Sequence, residues 1–155
     1  AGFFGDNAYE PPVPPRFEDL PRGVPMIAPT QVRVIDGDTI EATLSSGETV
    51  VVRLIGVNAA DRNSANVEQD RLALEQADYL ATAIRLADSV AFANYDVTRF
   101  GGPQVFAEGN KRYRMFLYLD GEPVWDAEVF SPRNPAGVGT QGNGVPEKWW
   151  KRGVS

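Results

Sequence analysis

Residues 35–57 read Ile35-Asp36-Gly37-Asp38-Thr39-Ile40-Glu41-Ala42-Thr43-Leu44-Ser45-Ser46-Gly47-Glu48-Thr49-Val50-Val51-Val52-Arg53-Leu54-Ile55-Gly56-Val57. Ile40, Ala42 and Leu44 alternate with Thr39, Glu41 and Thr43, the two-residue period of a strand with one face buried. Ser45-Ser46-Gly47-Glu48 has the composition of a hairpin turn. Thr49 to Val57 then predicts another strand, with Val50, Val52 and Leu54 on one face and Val51, Arg53, Ile55 and Val57 on the other. Upstream, Gln31 to Asp36 predicts the strand that enters the Asp36-Gly37-Asp38 turn.

Working outward, the period changes downstream. From Val67 to Asp88, Ala73, Ala77, Leu80, Ile84 and Ala87 recur at three- and four-residue steps, which predicts a helix. Asn66, three residues before Gln69, is placed to cap it. Ser89 to Tyr95 predicts a fourth strand, 97–111 a Gly/Pro-bearing loop, and Arg112 to Leu119 a fifth strand, turned by Asp120-Gly121 into Val124 to Val129. The fold class expected is mainly β (α+β): a small five-stranded OB-like barrel, with one helix after strand three and extended N- and C-terminal arms. A barrel hides its strand edges by closure.

Three segments follow from composition. Residues 1–30 form a proline-rich arm, with Pro11, Pro12, Pro14, Pro15, Pro21, Pro25 and Pro29; proline lacks an amide donor and fixes φ, so extended chain is expected. Residues 31–130 form the barrel. Residues 131–155 form a Gly/Pro-rich tail that ends in Lys148-Trp149-Trp150-Lys151-Arg152. Phe3, Phe4, Tyr9 and Phe17 in the first arm and Trp149 and Trp150 in the second are candidate partner-binding anchors, because aromatic and arginine side chains dominate interface hot spots. Two plainer readings stand beside this one: a floppy N-terminal tail, and a tryptophan pair packed back on its own barrel.

The chain has 155 residues, 15 basic and 21 acidic, with no cysteine and no histidine. Disulfides, thiol catalysis and thiolate zinc sites are excluded, and so are imidazole bases and ligands. Chemistry is left to carboxylates, arginines, hydroxyls and metals held by oxygen. A net charge of −6 opposes bulk attraction to nucleic acid, although it permits a local basic site. No apolar run approaches a membrane span, so no membrane partner is expected. The N-terminus lacks the basic start and apolar stretch of a signal peptide.

Two carboxylates around Gly37 suit a hard cation, although a solvated turn uses the same residues. Arg53 stands in an apolar strand and needs a partner, either a structural carboxylate such as Glu41 or a ligand. Arg112 and Arg114 share one face of the fifth strand, where clustered guanidinium groups can clamp phosphate oxygens; a solvated strand end is the plainer reading. Tyr113, Phe116 and Tyr118 on the same strand read as core rather than as a base-stacking platform.

In this order and spacing, Ile35 to Thr39, Arg53 and Arg112 resemble the staphylococcal-nuclease-like family, over roughly Gln31 to Val129. Arg112 lies eight residues before Asp120-Gly121. The resemblance implies a five-stranded barrel that cleaves phosphodiester bonds with calcium. Asp38 and Asn58 would ligate the metal, Asp61 would stand where the family has its glutamate, and Arg53 and Arg112 would stabilise charge at phosphorus.

The chain also departs from that pattern. Asn58 replaces a carboxylate, Ala60 a proline, and Asp61 is one methylene shorter than the family's residue. The C-terminal helices of the family have no counterpart, and residues 31–121 hold 13 acidic against 9 basic side chains. The expectation is therefore a structural or interaction subunit of a large assembly, a bacteriophage virion and its tail in particular. Its barrel would carry a degenerate active site, with Arg53 held by Asp38 or Asp61 as a relict ion pair. It would contact protein subunits through both arms and require no cofactor. The alternative is a calcium-dependent nuclease acting on DNA or RNA, with catalytic Arg53, Asp61 and Arg112 and metal ligands Asp38 and Asn58. The expected location is the virion, or the cytoplasm if the phage reading fails.

Overall fold

The computed structural model describes residues 9–60, 67–102, 104–105 and 111–138. The strands are β1 (Met26–Ile27), β2 (Gln31–Asp36), β3 (Thr39–Thr43), β4 (Thr49–Leu54), β5 (Val90–Ala93), β6 (Gln104–Val105), β7 (Lys111–Leu119) and β8 (Glu122–Val124). The helices are α1 (Val67–Leu86) and the single-turn α2 (Val97–Phe100). Single 3₁₀ turns occupy Phe17–Asp19 and Ala127–Val129.

The hairpin pair β3–β4 forms as the alternation predicts, with Ile40 opposite Val52 and Ala42 opposite Val50. All four are buried, as is Leu54. The predicted face assignment fails after Ile55. Ile55 joins one hydrophobic cluster while Val57 joins the other. Between them Gly56 adopts φ +80°, a left-handed conformation open to glycine, which breaks the two-residue period. The predicted strand Val124 to Val129 is also corrected. It is β8 followed by a 3₁₀ turn, in which the Asp126 side chain accepts from the Glu128 N–H. Asp126 here competes with the ladder for the backbone, as short polar side chains do.

The hydrogen-bonded path runs β1-β5-β7-β4-β3-β2, with β6 and β8 also pairing β7. β4 and β7 are parallel, and α1 lies in the chain between them. β4 and β6 flank the first half of β7, and β5 and β8 flank the second. The path is open: its ends, β1 and β2, are not paired with each other. The expected closed barrel is corrected to an open mixed sheet. The reason lies in β1, two residues between Pro25 and Pro29, which lack the N–H that a ladder needs.

The sheet is nonetheless curled. Ile27 at one end of the path and Gln31 at the other are four Cα steps apart, at most about 15 Å. A flat sheet of six strands would separate its edges by about 24 Å. The curl encloses Ile40, Val52, Leu54, Phe92, Met115 and Leu117. Leu80 and Ile84 of α1 pack on this cluster. The proposed cap residue Asn66 lies outside the described residues.

A second cluster covers the other face of β5 and β7. It contains Phe100, Phe116, Tyr118 and Phe130, with Tyr9, Phe17, Leu20 and Trp125 packed around them. The N-terminal arm therefore docks on its own sheet. The Phe17 N–H donates to Gly121 O at 3.0 Å, Tyr118 Oη donates to Pro15 O at 2.8 Å, and Arg16 pairs with Glu122. The start of the C-terminal segment is tied back too, with Val138 bridging Ile55 and Val57.

Candidate functional site

The Asp36-Gly37-Asp38 turn is packed, not solvated. A Cβ on Gly37 would stand 2.7 Å from Ala59 Cβ and 3.0 Å from Gln76 Cβ, so only glycine lets the turn lie against the loop after β4 and against α1. Asp38 is 0% exposed. Its Oδ1 accepts from Thr39 Oγ1 at 2.9 Å, its backbone carbonyl accepts from the Leu54 N–H at 2.8 Å, and Ala59 N–H is a further donor to the carboxylate.

Arg53 finds its partner here. Its Nη2 lies 3.6 Å from Asp38 Oδ2, with the arginine side chain 15% exposed. Glu41, the other partner considered for Arg53, is instead bonded to Arg33 Nε at 3.1 Å. Burial pushes the Asp38 carboxyl above the ordinary aspartate range, and the nearby charge of Asp36 adds to this. Arg53, the Thr39 hydroxyl and Ala59 N–H pull it back. Desolvation is the largest of these effects, so the ion pair offsets only part of the cost of burying the charge.

Asn58 is half-buried on the loop after β4. That loop is fixed from α1, because Gln76 Oε1 accepts from the Ala60 N–H at 2.7 Å. Gln76 is fully buried in the helical stripe that the sequence read as apolar. The signal for it was a polar residue four before Leu80 on the core-facing side. Asp61 lies outside the described residues. Arg112 stands opposite Val51 on the β4–β7 ladder, and Arg114 stands opposite Arg53. The arginine level with Arg53 is thus Arg114, one pleat beyond the one the resemblance selects.

Of the residues that the resemblance implies for catalysis and metal binding, the structure brings Asp38 and Arg53 into contact and places Arg112 on the same face of the sheet as Arg53. Calcium takes six to eight oxygen ligands. The described residues bring Asp36 near Asp38, but both Asp38 oxygens are engaged, by Thr39 and by Arg53. No group of three or more acidic side chains that could hold a metal ion occurs among the described residues.

Of the aromatic anchors, Phe17 packs edge-on against Tyr118 with ring centroids 5.4 Å apart. Tyr9 Oη accepts from Arg99 Nη2 at 3.1 Å. Phe3, Phe4, Trp149 and Trp150 lie outside the described residues. No described helix is long and apolar enough to cross a membrane. The chain matches no protein-family model and no curated protein.

Proposed function

We propose that this chain is a nuclease-like, curled open sheet whose phosphodiester site has become an internal ion pair, and that it serves as a structural, interacting subunit of a larger assembly. The observation that carries the reading is Asp38, fully buried and paired with Arg53 at 3.6 Å. The residue that would hold the metal is occupied by the residue that would hold the phosphate. Asn58 in place of a carboxylate points the same way, because it removes charge from the calcium site. The likeness to that family is supported by the curl of the sheet and by a helix that follows the third long strand.

The assembly we propose is a bacteriophage virion, and its tail in particular. Tyr9 and Phe17 are used within the chain, so contacts to neighbouring subunits fall to Phe3 and Phe4 at one end and to Trp149 and Trp150 at the other. The test is to tag the full chain in the cells that carry its gene and to purify particles by density gradient. The account expects the tag to travel with the particles. Recovery of the tag only from the particle-free supernatant contradicts it.

A calcium-dependent phosphodiesterase acting on DNA or RNA is the second reading. One observation favours it: Arg53, Arg112 and Arg114 share one face of the β4–β7 ladder beside Asp38. That grouping suits a phosphoryl group, and calcium would then supply Lewis-acid chemistry.

A further inference from the structure

We propose that the outer face of β5 and β7 is a recognition groove for a proline-rich extended segment, and that its partner is the N-terminal arm of a second copy of this chain. The inference names a partner for the interacting role proposed above, and rests on that reading for its place in an assembly.

The ligand chemistry is visible within one chain. Tyr9, Phe17 and Leu20 pack against the cluster that holds Ala93 of β5 and Phe116 and Tyr118 of β7. Between Tyr9 and Phe17 runs Pro11-Pro12-Val13-Pro14-Pro15. Pro12 and Pro14 are buried, while Val13 between them is 78% exposed. Such a run is extended, with φ fixed and no internal hydrogen bonds, so its carbonyls stay available as acceptors. Arg16 and Leu20 carry the same conformation on, with φ −64° at both and ψ 157° and 141°, which are polyproline II values. Tyr118 Oη donates to Pro15 O at 2.8 Å. Tyr95 stacks on Phe116 with ring centroids 5.6 Å apart, and Phe17 meets Tyr118 edge-on at 5.4 Å. An aromatic groove whose polar tip takes a carbonyl of a proline run is a recurring mode of peptide recognition. The stiff ligand loses little entropy on docking.

The polar contacts of the arm fix its register. Besides Tyr118, they come from Gly121 O to the Phe17 N–H at 3.0 Å, from Glu122 to Arg16, and from Arg99 Nη2 to Tyr9 Oη at 3.1 Å. These partners lie on β7, β8, α2 and the turn before β8. The chain that joins the arm to β1 contributes to none of these contacts. Pro21, Arg22 and Gly23 in that joint are exposed. Gly23 takes φ +80°, and an added Cβ there would meet nothing within 4 Å, so the joint is an unpacked turn that only glycine adopts without strain. The arm of a second copy carries the same residues and makes the same contacts, and exchange of an identical element between copies is a low-cost route to assembly. Passed head to tail from copy to copy, the arm links subunits into a ring or an open chain.

The chain has no cysteine, so an introduced pair reports docking without interference. The test mixes two full chains, Arg16→Cys and Glu122→Cys, at the positions that pair in the docked arm. Disulfide-linked dimers formed in a glutathione redox buffer are read by mass spectrometry. The mixed dimer should exceed that formed by Arg16→Cys with Glu48→Cys, on the exposed β3–β4 hairpin, by about ten-fold, the ratio that about 1.4 kcal/mol of docking supplies. Phe17→Ala in the Arg16→Cys chain should remove the excess. Arg16→Cys with Glu122→Cys in one chain, at low concentration, should close its disulfide internally. Internal closure with no excess of the mixed dimer restricts the groove to its own arm and overturns the proposal. An excess that survives Phe17→Ala assigns the dimer to another surface and overturns it too, as does failure of the folded double variant to close. The mixture holds this chain alone, so its result is independent of whether the tagged chain travels with particles.

Discussion

Asp38 and Arg53 define the chemistry at the scale of single residues. Arg53→Ala strands a carboxylate that is 0% exposed, and breaking a buried pair from one side costs about 3–5 kcal/mol. Thermal unfolding should register a clear fall in Tm, and an unchanged Tm would refute the pairing. The pH dependence has a definite sign. Burial raises the Asp38 pKa in the folded state, so between the ordinary aspartate pKa near ~4 and the higher folded value the native state binds more protons than the unfolded chain. Stability from this group is then lost as pH rises through that window. Relative to Asp38→Asn, the wild-type chain should be more stable below the window than at neutral pH, as read from paired denaturant titrations. The sequence showed that Arg53 needed a partner but left Glu41, Asp38 and Asp61 in contention. The choice depends on Gly37, which lets the turn sink against Ala59 and Gln76, and that is a tertiary contact with no local signature.

Elements were legible where periodicity was local. The alternation through β3 and β4 and the three- and four-residue steps of α1 are properties of short windows, and they form as read. The docked arm was not legible, because it is held by contacts such as Tyr118 to Pro15 and Phe17 to Gly121, about a hundred residues apart in the chain. The open sheet was missed for a similar reason. Prolines 25 and 29 mark poor donors, but which neighbour they deprive is set by topology. Tyr118 gives the arm a measurable handle. Burial pushes its hydroxyl up to about 12, so the neutral donor to Pro15 persists past the ordinary tyrosine value of about 10. The stability it contributes is present below that value and is lost as pH rises towards about 12. Tyr118→Phe removes this dependence. It should cost about 0.5–1.5 kcal/mol and speed limited proteolysis within 9–20, and unchanged cleavage there would show that the hydroxyl does not hold the arm.

For the whole molecule, the function proposed above is that of an interaction subunit in which Asp38 and Arg53 form a buried pair instead of a working phosphodiester site. A net charge of −6 and a buried Asp38–Arg53 pair both disfavour a working grip on nucleic acid. The most direct test is calorimetric titration of calcium into the purified full chain, with a nucleic-acid cleavage assay on the same sample. The account predicts no calcium binding and no cleavage. Calcium binding with cleavage that disappears in Arg53→Ala would contradict it and establish a working phosphodiesterase.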